Sequence, residues 1–336
     1  MYITAPTLDD LLRRVYEKLL NSINRINPTK GPATELSGVL LKIANPRTRL
    51  SRTEKKGTLF SCLGELLWYL AGSRDVRFIS YYLPHYTKYS DDGKTIYGAY
   101  GPRMCSKVGA RQIDNVINLL KKKSESRQVV IQLFDASDIV EEHKDIPCTC
   151  TLQFLIRQRR LNMITSMRSN DAFLGLPHDI FAFTMLQEII ARALGVELGT
   201  YKHAVGSLHL YDENRNSAQQ FLDEGWQLKV PMPAMPIGDP WNSISVLLSA
   251  ESKIRRGQEI DSDTLKIDPY WADLVRILQI FQYTNNPDKI GKVSQIKRKM
   301  HTHIYNPYIN KRHAAFLAKN IIPEQKELFI DPAQGN

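Results

Sequence analysis

Leu8, Leu11, Leu12, Val15 and Leu19 recur with the spacing of one helical face, behind Thr7 as a cap and two acids, Asp9 and Asp10, in the first turn. Residues 37–44 then read as a strand, and Pro46 with its polar neighbours breaks the pattern into a loop carrying Arg47 and Arg49. Residues 64–72 predict a short helix ending at Gly72, with Glu65 among bulky apolar neighbours. Ile113, Val116, Ile117 and Leu120 give another amphipathic helix, and Lys121, Lys122 and Lys123 complement its C-terminal dipole. Residues 129–134 form an apolar run of buried-strand type, and 152–157 with 161–167 form two strands joined by a tight basic turn at 158–160. Residues 180–194 are apolar nearly all round, the mark of a helix buried in the core, and 200–211 return as a strand. Beyond 220 the character changes. Residues 231–236 are proline-punctuated and extended, Asp268-Pro269 opens a helix running through Tyr283, the stretch 297–312 is basic, and 323–336 is expected to be loose.

The expected organisation is a main domain over residues 1–240, with 241–336 as a mainly helical extension of the same domain. The 336 residues, 43% hydrophobic and 24% charged, can bury a substantial core. No run of eighteen apolar residues is present, so no membrane span is expected. The first residues lack the basic and apolar blocks of a signal peptide, and Cys62, Cys105, Cys148 and Cys150 are too few for a disulfide framework at this length. A cytoplasmic protein with reduced thiols is expected. The formal net charge of +10 suits an anionic partner, either a nucleic acid or a phosphorylated small molecule, and equally suits a merely soluble basic surface.

Chemistry concentrates between Asp145 and Tyr211. Cys148 follows a proline and precedes a strand, so it is either a nucleophile activated by nearby positive charge, with Arg127 and Arg168 available, or a small buried hydrophobe. Cys148 and Cys150 alternate on a strand and point to opposite faces, which argues against a metal site. Arg168-Ser169 could hold a phosphate. Asp179 reads either as a site carboxylate or as an acid at the start of the long apolar helix, favoured by its dipole. His209 and Tyr211 face the same side of one strand. Arg47 and Arg49 could clamp a phosphate or sit on a solvated loop.

In order along the chain, Glu65-Leu66-Leu67-Trp68-Tyr69-Leu70-x-Gly72, Tyr97-Gly98, Pro147-Cys148 with Gln153-Phe154, Arg168-Ser169-x-Asp171-x-x-Leu174-Gly175-Leu176-Pro177, and Gly206-x-x-His209-x-Tyr211 resemble the motifs of the thymidylate synthase superfamily. The resemblance covers roughly residues 35–220. It implies an α+β fold, thymidylate synthase-like, whose mainly antiparallel sheet forms the dimer interface with helices flanking it. It implies one-carbon transfer from 5,10-methylenetetrahydrofolate, as co-substrate and without a metal, to carbon 5 of a pyrimidine nucleoside monophosphate. Cys148 would add to carbon 6, Glu65 would order water and shuttle protons, and Tyr97 would join them as catalytic. Arg168, Ser169 and Arg47 would bind the phosphate, with Arg49 competing for the last role. Arg127 would reach the partner's phosphate site in a homodimer. His209 and Tyr211 would hold the sugar, and Asp171 and Tyr86, with Glu65, would meet the folate.

Two departures from that pattern bear on the substrate and product. Asp179 stands where the synthases carry asparagine, and Thr149 stands where they carry histidine. A carboxyl group suits cytosine, as in the cytidylate hydroxymethylases of the superfamily. Residues 79–92 hold Tyr82, Tyr86 and Tyr89 but none of the tryptophans of the synthases, a wall that admits water and favours a hydroxymethyl product. The expectation is therefore a hydroxymethylase of CMP or dCMP. A divergent thymidylate synthase, a cytidylate methylase and a catalytically silent nucleotide- or RNA-binding protein are the alternatives, and direct nucleic-acid binding is not expected of the enzyme.

Overall fold

The computed structural model describes residues 1–105 and 111–320, so the stretch 323–336, expected to be loose, lies outside the described residues. The described residues form two compact units, one over Met1–Leu248 and the other from Ser249 onward.

The first unit is built on a sheet of seven strands: β1 (Tyr2–Ala5), β2 (Arg25–Ile26), β3 (Ala33–Ile43), β4 (Val130–Gln132), β5 (Thr149–Arg157), β6 (Arg160–Asp171) and β7 (Glu197–Tyr211). Their order is β1-β3-β7-β6-β5-β4, with β2 added to β3. The β1/β3 and β6/β7 pairs are parallel and the other four pairings antiparallel, as the expected mainly antiparallel sheet requires. β3, β6 and β7 run longer than the apolar runs alone suggest. In β3 and β6 the added residues include Thr34, Glu35, Arg168, Ser169, Asn170 and Asp171, polar positions that hydrophobic periodicity does not mark, whereas β7 gains residues 197–199 at its opposite end. The β5–β6 hairpin turns at Gln158 (φ 51°) and Arg159 (φ 57°), consecutive left-handed residues that match the strand twist.

Two helices pack together over this sheet. One, Leu59–Leu70, carries Glu65; the other, Gly175–Ala193, carries Asp179 and is buried over most of its length. The second begins at Gly175, earlier than the apolar run, with Pro177 in its first turn, where a missing N–H costs nothing. Asp179 therefore sits one turn inside the helix and is not a capping acid. The first helix of the chain, Leu8–Leu20, is capped by the Thr7 hydroxyl, which accepts from the Asp10 N–H at 3.1 Å.

The second unit is helical. Its best-defined element, Pro269–Tyr283, is capped by Asp268, whose carboxylate accepts from the Tyr270 N–H at 2.8 Å. Among the described residues no helix is long and apolar enough to cross a membrane.

Candidate active site

Register brings the functional residues to one end of the sheet. Thr149, next to Cys148, pairs with Met167; Ser169 pairs with Ser207, Asp171 with His209, and His209 with Glu35. Gly206 permits this convergence, since a Cβ there would stand 2.8 Å from the Arg168 carbonyl oxygen. Arg168 ties the cysteine loop in place: Nε donates to the Pro147 carbonyl at 3.0 Å and Nη2 to the Ile146 carbonyl at 3.0 Å.

Burial pushes the Cys148 thiol up to about 11; Arg168 and Lys30 pull it down, and Asp179 and Asp145 add to the rise. The expectation that positive charge would lower this thiol is thus only half met. Arg168 contributes, but desolvation wins, and Arg127 is not at the site. Its carbonyl accepts from Gln153, five residues along β5, ~17 Å from the cysteine at the rise of a strand. Within one chain Arg127 cannot serve Cys148.

Asp179 faces the same space from its helix. Burial, then the nearby Glu65 charge, raises its carboxyl to about 8, against a lowering hydrogen bond from Asn170. The Asn170 amide Nδ2 donates to Asp179 Oδ2 at 2.8 Å. Glu65, 5% exposed, accepts on Oε1 from two phenols, Tyr69 and Tyr86, each at 2.8 Å. Of the tyrosines at 79–92, Tyr86 thus aims its hydroxyl at the Glu65 carboxylate. Asp171 Oδ1 accepts the Phe173 and Leu174 N–H groups at 2.8 and 3.0 Å and shapes the turn into the Asp179 helix. His178, between Pro177 and Asp179, lies 2.9 Å from the Ser61 hydroxyl through Nε2. On β7, His209 and Tyr211 stand edge to face with centroids 4.9 Å apart, and burial lowers the His209 pKa.

Two expected residues are placed elsewhere. Arg47 lines a cavity of about 820 Å³ with Arg157, Arg160 and Arg192. Arg157 ends the strand that Cys148 precedes, so this cavity lies ~30 Å away along β5. Arg49 is fully buried in an ion pair with Glu188, so neither loop arginine reaches the cysteine. Tyr97 stacks on His143 at 3.5 Å, and the Arg103 guanidinium lies 5.5 Å from its ring. Its neighbour Gly98 is required because the Asp145 carboxylate lies 2.5 Å from where a Cβ would stand.

Two residues were missed. Lys30 precedes β3, lies over the Tyr89 ring at 4.5 Å, and acts electrostatically on Cys148, Asp145 and His209. It is a loop cation beside the cysteine end of the sheet, where Arg47 is not. Its only signal was a lone lysine between Pro28 and Gly31 in a polar loop. Tyr100 accepts from both the N–H (3.1 Å) and the hydroxyl (3.0 Å) of Thr149, fixing the residue after the cysteine. Its only mark in the sequence is a tyrosine between Tyr97-Gly98 and Gly101-Pro102.

A seven-stranded mixed sheet with two packed, buried helices, and with cysteine, arginine and carboxyl groups gathered at one end, defines a thymidylate synthase-type scaffold. The crystal structure of thymidylate synthase from T4 phage aligns with a TM-score of 0.56 at 20% identity, covering 67% of this chain and 85% of that one. The thymidylate synthase family profile matches residues 9–253, and the chain belongs to that family. Two relatives are named deoxyuridylate hydroxymethyltransferase. That of Delftia phage PhiW-14 is 30% identical over 63% of this chain and 62% of its own length. That of Pseudomonas phage M6 is 33% identical over 56% of this chain and 54% of its own. The chain thus spans less than two thirds of the relatives it matches.

Proposed function

We propose that this chain is a folate-dependent 5-hydroxymethylase of a pyrimidine nucleoside monophosphate, with cytosine as the base. The observation that carries the reading is Asp179, a buried carboxyl group held neutral near pH 7 and facing the cysteine end of the sheet. A neutral carboxyl presents one donor and one acceptor side by side. Cytosine offers the complement: its exocyclic amine donates to the carbonyl oxygen, and ring nitrogen 3 accepts the acid proton. Taking that proton makes carbon 6 a better electrophile for Cys148. As the sulfur–carbon bond forms, the ring keeps the Asp179 proton and the thiol proton passes to the carboxylate left behind, so no net charge is buried.

The co-substrate 5,10-methylenetetrahydrofolate would supply the one-carbon unit at the oxidation level of formaldehyde. The residues fit such a partner: Asp171 uses one oxygen for the turn and keeps the other for a ligand, and Tyr86 with Glu65 offers polar groups at the wall. In this reading Glu65 holds the water that adds to the exocyclic methylene on carbon 5, with Tyr86 fixing the carboxylate. Lys30, Arg168, Ser169 and Arg127 from a second copy would bind the phosphate, and His209 and Tyr211 the sugar.

A second reading takes uracil as the base, favoured by the names of the two relatives. The same neutral acid fits uracil with the roles of its two oxygens exchanged. The test is a panel of CMP, dCMP, UMP and dUMP with methylenetetrahydrofolate, read by product mass. A gain of one hydroxymethyl group on a cytidylate is expected and should vanish in Cys148→Ala. Turnover of uridylates alone would overturn the choice of base; a methyl product with dihydrofolate would overturn hydroxymethyl transfer.

A further inference from the structure

Behind Asp179 runs a chain of side chains that the proposed reaction does not use. Asn170 Nδ2 donates to Asp179 Oδ2 at 2.8 Å, and Asn170 Oδ1 lies 3.0 Å from His203 Nε2. His203 Nδ1 lies 2.7 Å from the Tyr201 hydroxyl, and that hydroxyl is 3.1 Å from Thr165 Oγ1. Thr165, Tyr201 and His203 are completely buried, and Asn170 is 4% exposed. Polar groups at such depth are held in one arrangement, because any break leaves a desolvated donor or acceptor unpaired.

The chain has a direction. A carbonyl oxygen faces His203 Nε2, so the histidine carries its proton there. Nδ1 is then an acceptor facing the Tyr201 hydroxyl, whose one proton is shared between Nδ1 and Thr165 Oγ1. Burial drives the His203 pKa down to about 3, so the ring is neutral and has one proton to place. With its carbonyl held by His203, the Asn170 amide can only turn its NH₂ toward Asp179. Oδ2 of Asp179 is therefore an acceptor, and the carboxyl proton is left to Oδ1.

We propose that the Tyr201–His203–Asn170 relay is a positioning device that fixes which oxygen of Asp179 carries the proton and so sets the choice between cytosine and uracil. This deepens, and rests on, the reading of Asp179 as the residue that meets the base. The two bases present the same pair of ring positions with donor and acceptor exchanged. A carboxyl group locked with its proton on one oxygen complements one of them; a carboxyl free to move its proton complements both. The other groups around Asp179 do not supply that lock. Glu65 from the neighbouring helix, Asp171 from β6, His178 on the same helix and Cys148 act on it through charge alone, and Tyr69 and Tyr100 are neutral phenols nearby.

Tyr201→Phe tests the relay without touching the nucleotide. It removes the donor to Nδ1, so the His203 proton is free to move to Nδ1. The Asn170 amide then turns over, and the Asp179 proton shifts to Oδ2. The dissociation constants of dCMP and dUMP, measured by calorimetry without folate, give a preference ratio that needs no turnover. The ratio is expected to change at least tenfold in Tyr201→Phe, with ¹⁵N shifts of His203 moving from the Nε2–H to the Nδ1–H tautomer. Asn170→Ala, the second variant should Tyr201→Phe fail to fold, is expected to erase the preference. A wild-type protein that prefers one base, with the ratio unmoved in both variants, overturns the relay and leaves the proposed function standing. Binding of neither nucleotide by the wild type overturns the proposed function and the relay with it.

Discussion

Asp179→Asn separates the roles of proton and shape at this position. The folded protein holds the Asp179 carboxyl up to about 8, first through burial and then through Glu65, whereas an unperturbed aspartate ionises near 3.8. Between those values the unfolded chain releases a proton that the folded one keeps. The contribution of a raised group is complete below the unfolded pKa and is lost as pH rises through the folded one. Wild-type stability should therefore fall from about pH 4 to about pH 8, by ~1.4 kcal/mol per unit and on the order of 5 kcal/mol in all. Asparagine does not titrate and escapes this loss. Urea unfolding of both proteins at pH 5, 6.5 and 8 cancels every other titrating group in the difference. The advantage of Asp179→Asn should widen steadily with pH. In parallel, kcat/KM of the wild type should fall about tenfold per unit above pH 8, as the neutral acid is lost. The variant should lack that limb and shift its preference toward uracil. A stability difference that stays constant from pH 5 to pH 8 would refute a buried neutral carboxyl, and an unchanged base preference would refute its contact with the base.

Lys30→Ala should raise the KM for the nucleotide at least tenfold while leaving affinity for the unphosphorylated nucleoside unchanged; equal losses for both would remove it from the phosphate site. Arg49→Met should cost about 3 kcal/mol or more in chemical denaturation, because Glu188 is left charged and unpaired in the core, with little change in nucleotide affinity at a permissive temperature. Alkylation of Cys148 by iodoacetamide, scored against a Cys148→Ser control, should accelerate about tenfold per pH unit from 7 to 10, since burial holds the thiol up to about 11; a plateau below pH 9 would contradict this. Tyr86→Phe removes one of two donors to Glu65 and should lower the yield of hydroxymethyl product relative to consumption of folate, as seen by mass spectrometry, with nucleotide binding intact.

Much of this site could be read from the sequence because its motifs are local. Cys148, Arg168, Asp171 and His209 stand at strand ends, and pairing of β5, β6 and β7 brings them together once register is set. What escaped was decided by side-chain direction and long-range packing. Arg47 and Lys30 are both cations on loops beside β3, one after its end and one before its start. An eleven-residue strand separates those loops by ~35 Å, and only the topology says which end meets Cys148. Arg49 looked like an exposed loop cation, but it is neutralised in the core by Glu188, a residue 139 positions away. Tyr97 and Tyr100 lie three residues apart, and nothing in their spacing tells which ring turns toward Thr149. The relay is the extreme case. Tyr201 and His203 alternate on β7 like ordinary inward-facing residues, and Asn170 sits at a variable position inside a motif, so no spacing rule singles them out.

The charge arrangement explains why a basic protein would keep its reactive centre protonated. The net charge of +10 is not at the cysteine, where Lys30 and Arg168 face Glu65, Asp145, Asp171 and Asp179. Ionising Cys148 and Asp179 together would set new negative charge beside Glu65 in a buried space, and burial raises the pKa of both. On the proposed reading the free enzyme therefore waits with thiol and acid both neutral, inert to solvent. A base that accepts the Asp179 proton lets the sulfur bond to carbon 6 as the thiol proton passes to the carboxylate left behind. The thiolate never needs to exist alone, and a nucleotide lacking an acceptor at the right ring position leaves the cysteine unactivated. Discrimination between bases is then exercised in the rate of adduct formation as well as in binding, so the relay behind Asp179 acts on both.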